Sequence, residues 1–209
     1  MNNAELILTM QDKYDGCKRE GILINLNTAI SLGKSKGLEV DRYRALPKIT
    51  NRSKHTVMSW FNRPDKKIPL VDLCMIARYL HYNVFAFFNT ETSGTTNTYI
   101  QDFLVANDYY NEKYPIDSAN IYIRAYDMQY NTDKNIVVDN LEKYYGTTEE
   151  LLAHHSNKRQ VRVMDVCKCT QQSYYSWFNR SRTNVRIPLI ALCKLAVDAD
   201  VDIFDLMTE

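Results

Sequence analysis

Apolar residues along this chain recur mostly at three- and four-residue intervals, the spacing of one helix face. Leu6, Ile7, Met10, Tyr14 and Cys17 predict a helix over 4–19, with Asn3 as its cap and Gly21 as its stop. A second apolar pattern runs from Ile22 to Leu32 and is broken by glycine, lysine and serine at 33–37. Tyr99, Ile100, Phe103 and Leu104 share one face over 99–112. Ser118 caps a predicted helix through Tyr130, on which Tyr122, Tyr126 and Tyr130 form a stripe suited to a core or to a contact between chains. Ile136–Tyr145 and Thr148–His155 read as two more helices, the second opened by Thr-Glu-Glu. Strict alternation is scarce, and only Ile121–Tyr126 leaves a strand open. The expected fold class is all-α.

The same pattern also occurs twice. Ser59-Trp60-Phe61-Asn62-Arg63 returns as Ser176-Trp177-Phe178-Asn179-Arg180, 117 residues later, and holds both tryptophans. A basic loop follows each copy, then Ile68-Pro69-Leu70 or Ile187-Pro188-Leu189. Leu73-Cys74 with Ala77 matches Leu192-Cys193 with Ala196, and Asn83-Val84-Phe85 matches Asp202-Ile203-Phe204. The offset past the loop is 119, so the second loop is two residues longer. A spacing this wide is no solenoid period; it indicates one domain type present twice. The polar stretch Glu91–Thr98 reads as a linker. The expected boundaries are 1–90 for the first domain, 91–98 for the linker, 99–133 for a helical acidic spacer and 134–209 for the second domain.

Within each copy, two short helices meet across a tight turn. In the first, Leu46 and Ile49 point inward before Asn51, a residue that tolerates left-handed backbone. Ser53 then caps a helix with Val57, Trp60 and Phe61 on one face. Its other face carries Lys54, His55, Thr56, Ser59 and Asn62, with the size and chemistry to enter a major groove. The stretches 43–88 and 160–207 resemble the helix-turn-helix domain of lambda-type phage repressors, the Cro/C1 or XRE-like class. The likeness lies in the turn, the recognition helix ending in aromatic-Phe-Asn, the basic loop, the proline-led helix with Leu-x-x-x-Ala, and the closing Val/Ile-Phe. It implies tandem lambda-repressor-like domains and double-stranded DNA as the partner. Two departures stand out. Pro47 sits where the family prefers alanine, at a cost of about 3 kcal/mol unless the leading helix starts late. The turn glycine is replaced by Asn51 and by Lys168, which predicts a wider turn in the second copy.

The resemblance places Lys54 and His55, and Gln171 and Gln172, where the family contacts bases. Glutamine suits adenine and lysine suits guanine. Thr56, Ser59, Ser173 and Ser176 follow along the same helices. Gln160 falls where the family has a phosphate-touching glutamine. Arg44, Arg52, Asn62, Arg63, Lys66 and Lys67 in one copy, and Asn179, Arg180, Arg182 and Arg186 in the other, are suited to phosphates.

Charge sharpens this picture. The net charge of +1 says little, but its distribution is uneven. Lys34–Lys67 holds ten basic residues against three acids, and Lys158–Arg186 seven against one, whereas 99–152 holds ten acids against four basic residues. Two basic stretches around the repeated motif are an electrostatic footprint for a polyanion. Composition otherwise excludes rather than points. About 45% apolar and 24% charged is ordinary for a globular chain. No apolar run reaches membrane-span length, and the N-terminus lacks a signal-peptide pattern, so a cytoplasmic location is expected. The five cysteines fit reduced thiols. His154, His155, Cys167 and Cys169 are zinc-ligand types at the wrong spacing for a finger. Phosphate loops, zincin motifs and nucleophile elbows are absent, so no cofactor, metal or catalysis is expected.

The resulting expectation is a sequence-specific transcriptional regulator, phage or mobile-element in type. Its unlike recognition helices would read two unlike half-sites, and residues 99–145 offer a surface for homodimerisation. The alternative is a protein-binding inhibitor or adaptor on a helix-turn-helix scaffold, such as a phage-encoded inhibitor of host defence.

Overall fold

The computed structural model describes residues 1–89, 96–154 and 157–209, and among these every regular element is helical. In chain order they are α1 (Asn3–Gly16), α2 (Arg19–Ser35), α3 (Ala45–Thr50), α4 (Lys54–Asn62) and α5 (Leu70–Leu80), followed by a 3-10 helix, Val84–Phe88. Then come α6 (Thr96–Lys113), α7 (Ser118–Asn131), α8 (Lys134–Tyr145), α9 (Thr148–Ala153), α10 (Lys158–Cys167), α11 (Gln171–Phe178) and α12 (Leu189–Asp198), with a closing 3-10 helix, Asp205–Met207. The segment 121–126 lies inside α7 rather than in a strand. There, Tyr122, Ile123 and Ala125 are buried, a helical rather than alternating pattern. No helix among the described residues is long and apolar enough to cross a membrane.

The chain divides into two compact units. One comprises Thr9–Ile123; the other comprises Met1–Leu8 with Arg124–Glu209. They are called the first and second head below, after the motif each contains. These limits differ from the boundaries expected from sequence. The stretch 99–123 is not a free spacer, because α6 packs on α2 and on Val84–Phe88. Phe103 is buried edge-to-face against Tyr82 and Phe87, with centroids at 5.1 and 5.7 Å. Tyr114 stacks on Phe85 at 4.0 Å. The backbone N–H of Asn83 donates to the Asn107 side chain at 2.9 Å. The first residues of α1 join the second head, where Asn3 donates to the Asp202 carboxylate at 2.7 Å. Of the expected linker, 91–95 lies outside the described residues, while Thr96 already begins α6.

The repeat reaches further than the motif. Tyr14 and Gln129, 115 residues apart, donate to the carbonyls of Ile68 and Ile187 at 2.8 and 3.0 Å. Asn25 and Asn140, at the same offset, donate to Phe87 and Asn89 carbonyls (3.2 and 2.7 Å) and to Leu206 and Thr208 carbonyls (3.4 and 2.7 Å). Thus α1–α5 with their 3-10 helix correspond to α7, α8, α10, α11 and α12 with theirs. The inserted α9 is fixed by a capping box between Thr147 and Glu150. In the first head α2 and α5 close tightly at Gly33, where a Cβ would lie 2.8 Å from Leu80.

Candidate nucleic-acid interface

Each head builds its interface from two helices and a left-handed turn. Asn51 ends α3 at φ 52°, ψ 40°, and Lys168 ends α10 at φ 53°, ψ 43°. The wider turn expected at Lys168 is therefore not formed. The lysine is held left-handed, and the Cys169 N–H donates to the Met164 carbonyl at 3.3 Å, as Arg52 N–H does to Pro47 at 3.0 Å. Such a conformation costs an ordinary L-residue about 1–2 kcal/mol. Pro47 fits because α3 begins late, at Ala45. It occupies the first turn, where its missing N–H has no helical partner to lose. The Asp41 carboxylate caps this start by accepting from Tyr43 and Arg44 N–H, both at 2.7 Å. The Arg44 bond foremost holds its pKa below the usual carboxylate value.

The helices that follow, α4 and α11, are capped alike. Ser53 accepts from Thr56 N–H at 3.0 Å, and Thr170 from Ser173 N–H at 3.2 Å. Val57 and Trp60 on α4, and Tyr174, Trp177 and Phe178 on α11, are buried. With the indoles inward, Lys54 and His55, and Gln171 and Gln172, face solvent. Thr56 and Ser173 are half-buried and share hydrogen bonds with their capping hydroxyls, at 2.9 and 3.0 Å. Ser59 donates to the Thr56 carbonyl at 2.6 Å, and Ser176 accepts from Arg182 at 3.3 Å. Of the expected base-contacting residues, the fully exposed ones are therefore the first two of each helix. In the second head, Tyr175 adds to them by donating to Gln160 at 3.1 Å and accepting from Gln171 at 3.4 Å.

The residues expected at phosphates separate into two groups. Arg44, Asn62, Arg63 and Lys66 are exposed, as are Asn179 and Arg182. Four others, Arg52 and Arg180 among them still exposed, are engaged by the chain itself. Arg52 forms an ion pair with fully buried Asp72 at 3.0 Å. Lys67 donates to the Tyr14 carbonyl and lies 3.9 Å from that ring's centroid. Arg180 pairs with Asp139 at 2.6 Å and Glu142 at 2.9 Å. Arg186 donates to the carbonyls of Gln129 at 3.1 Å and Thr132 at 2.7 Å. Sequence spacing places these cations beside the recognition helix but cannot see the partners that claim them.

Sequence reading also missed the cations that hold each loop from below. The Arg19 guanidinium donates to the carbonyls of Lys66, Trp60 and Phe61 at 2.9, 2.8 and 3.2 Å. Its counterpart Lys134, buried in the second head, donates to Ser176, Asn179 and Arg182 carbonyls at 2.8, 2.8 and 3.0 Å. These carbonyls end the recognition helix and carry the loop, so each cation satisfies acceptors that the helix leaves orphaned. A second pair, Arg42 and Arg159, lies over Phe61 and Phe178, 4.5 and 4.6 Å from the ring centroids. Arg42 bonds Asn27 at 2.6 Å, whereas Arg159 bonds Glu142 and Tyr174, each at 2.9 Å.

His155 of the zinc alternative lies outside the described residues, and the remaining described residues form no group of three metal-ligating side chains. Cys167 donates to the Ala191 carbonyl at 3.7 Å, and burial pushes its pKa up to about 12. Comparison with protein-family models, with curated proteins and with solved structures finds no match.

Proposed function

We propose that this chain is a two-headed, sequence-specific DNA-binding regulator. The observation that carries the reading is the recurrence of one geometry in both heads. A helix ends in a left-handed residue, and a capped short helix then buries its indole and opens with two polar side chains turned to solvent. Those side chains, Lys54 and His55 or Gln171 and Gln172, have the donors and acceptors that base edges in a major groove require. The resemblance to lambda-type repressors, stated from the sequence, agrees with this geometry. The unlike pairs imply a site with unlike halves, and phosphate contacts fall to Arg44, Arg63, Lys66 and Arg182. Selection of bound duplexes from a random pool, followed by binding at two salt concentrations, tests the reading. Enrichment of one asymmetric sequence with steep loss of affinity at the higher salt is expected. No retention of any duplex at low salt would remove it.

One feature favours a second reading, a head that grips protein. A groove of about 470 Å³ in the second head is bordered by Leu151, Tyr174 and Phe178, and by exposed Leu152 and Tyr175. Exposed Val161 lies on α10, which opens beside it. An apolar rim of this kind suits a protein surface better than a phosphate backbone.

A further inference from the structure

The two heads present their charges differently. In the first, Lys54 opens α4, Arg63 follows its last residue and Lys66 lies in the next loop. All three are exposed, and none forms an ion pair among the described residues. Asp65 is the one acid between Lys54 and Lys67.

Most cations in and around the matching stretch of the second head, Gln171–Arg186, are engaged by the chain itself, as Arg52 and Lys67 are in the first head. Arg180, the counterpart of Arg63, is held between Asp139 and Glu142 at 2.6 and 2.9 Å. Lys168 bridges to Asp165 at 2.7 Å, and Arg162 engages Asp198. Arg186 lies on two backbone carbonyls, at 3.1 and 2.7 Å. Arg182, whose partner is the Ser176 hydroxyl at 3.3 Å, is the exception. Where the first head opens its recognition helix with Lys54 and His55, the second has uncharged Gln171 and Gln172.

Gln171 is also oriented. Its amide nitrogen donates to Tyr175, which donates to Gln160. The matching positions of the first head are Met58 and Tyr43, which cannot form this chain. The carbonyl of Gln171 and the second N–H of its amide remain for an acceptor–donor pair, the pattern that adenine offers at N6 and N7.

Counterion release scales with the cations a protein brings to phosphate. A guanidinium already matched by its own carboxylates must leave them uncompensated to reach DNA, so it adds little. We infer that the heads divide the work. Both heads read bases, but the first supplies most of the charge-dependent affinity, through Arg63, Lys66 and the added charge of Lys54, while the second binds with little charge and reads adenine at the position facing Gln171. This rests on the DNA-binding reading above.

The test uses the full chain, a duplex selected by it and a scrambled duplex, with affinity followed by fluorescence anisotropy across a salt series. Arg63→Ala with Lys66→Ala should flatten the slope of log affinity against log salt by about 1.8, from 0.9 per phosphate contact. Arg180→Gln with Arg186→Gln should leave the slope unchanged, circular dichroism confirming the fold. Should that pair fail to fold, Arg180→Gln alone carries the same expectation. Gln171→Ala should leave the slope alone but lower preference for the selected duplex about tenfold, by loss of a bidentate contact. The loss should fall on an adenine position. An Arg180→Gln, Arg186→Gln variant that flattens the slope as much, per residue, as the first-head pair overturns the division and leaves DNA binding standing. A wild-type chain that binds neither duplex at low salt overturns both.

Discussion

At the scale of single residues, the left-handed turns carry a clear cost. Asn51 suits its conformation, whereas Lys168 adopts nearly the same angles without a side chain that favours them. Lys168→Gly removes that strain and gives up an exposed ion pair with Asp165, of a kind worth little. The expected result is a second head more stable by about 0.5–1 kcal/mol, read as a higher urea midpoint; Lys168→Ala, which keeps the strain, should not gain. Residue identity marks lysine as a poor left-handed residue but predicts a wider turn, whereas the structure keeps the tight turn and the strain. The core was legible: Val57, Trp60, Leu73 and Cys74 follow helical spacing and are buried. The roles of Arg19 and Lys134 were not. A cation at a helix start reads as a solvated charge, and its partners are carbonyls, which no side-chain pattern reports. The pair stands 115 residues apart, while the motif itself repeats at 117 and 119, so a register set on the tryptophans misses it.

At the scale of elements, the pin beneath each recognition helix can be tested by substitution. Lys134→Met leaves three carbonyls without their donor, each costing of order 1 kcal/mol when buried. It should lower the second head's urea midpoint, whereas Lys134→Arg, which copies the first head's solution, should keep most of the stability. Equal midpoints for wild type and Lys134→Met would mean the bonds contribute nothing. The start of α4 could be read from its cap, Ser53, because capping is local, and Thr170 and the Thr147–Glu150 pair carry the same signal for α11 and α9. The packing of α6 could not be read. Phe103 marks a buried face but does not say that Tyr82 and Phe87 cover it. At Ile121–Tyr126, where the pattern predicts a helix and leaves a strand open, two periods compete over so few residues, and burial of Tyr122, Ile123 and Ala125 decides for the helix.

At the scale of the whole molecule, the heads should part in acid. Burial works against the charge of Glu142, but bonds from Thr148 and Arg159 and the charges of Arg159 and Arg180 outweigh it and hold its pKa below the ordinary value. Its stabilisation is present above the unfolded carboxylate pKa and is lost as pH falls through the folded one. Asp72 in the first head is shifted the other way, since burial raises its pKa more than Arg52 lowers it. Protonating Asp72 therefore favours folding as pH falls. In Trp60→Phe and Trp177→Phe variants, each with one indole left, the Trp177 signal should be lost at higher pH than the Trp60 signal. The reverse order would contradict these assignments. On DNA, Lys54→Ala with His55→Ala should relax one half of the selected site, and Gln171→Ala with Gln172→Ala the other, at about 1–3 kcal/mol per lost bidentate contact. Loss at the same base positions in both variants would show that one head does all the reading. The pins at Arg19 and Lys134 have one more consequence. They grip helix and loop through main-chain carbonyls, not through the outward side chains. Each of α4 and α11 is thus a replaceable cartridge in a fixed socket: its outward residues can drift or be redesigned while the frame stays whole.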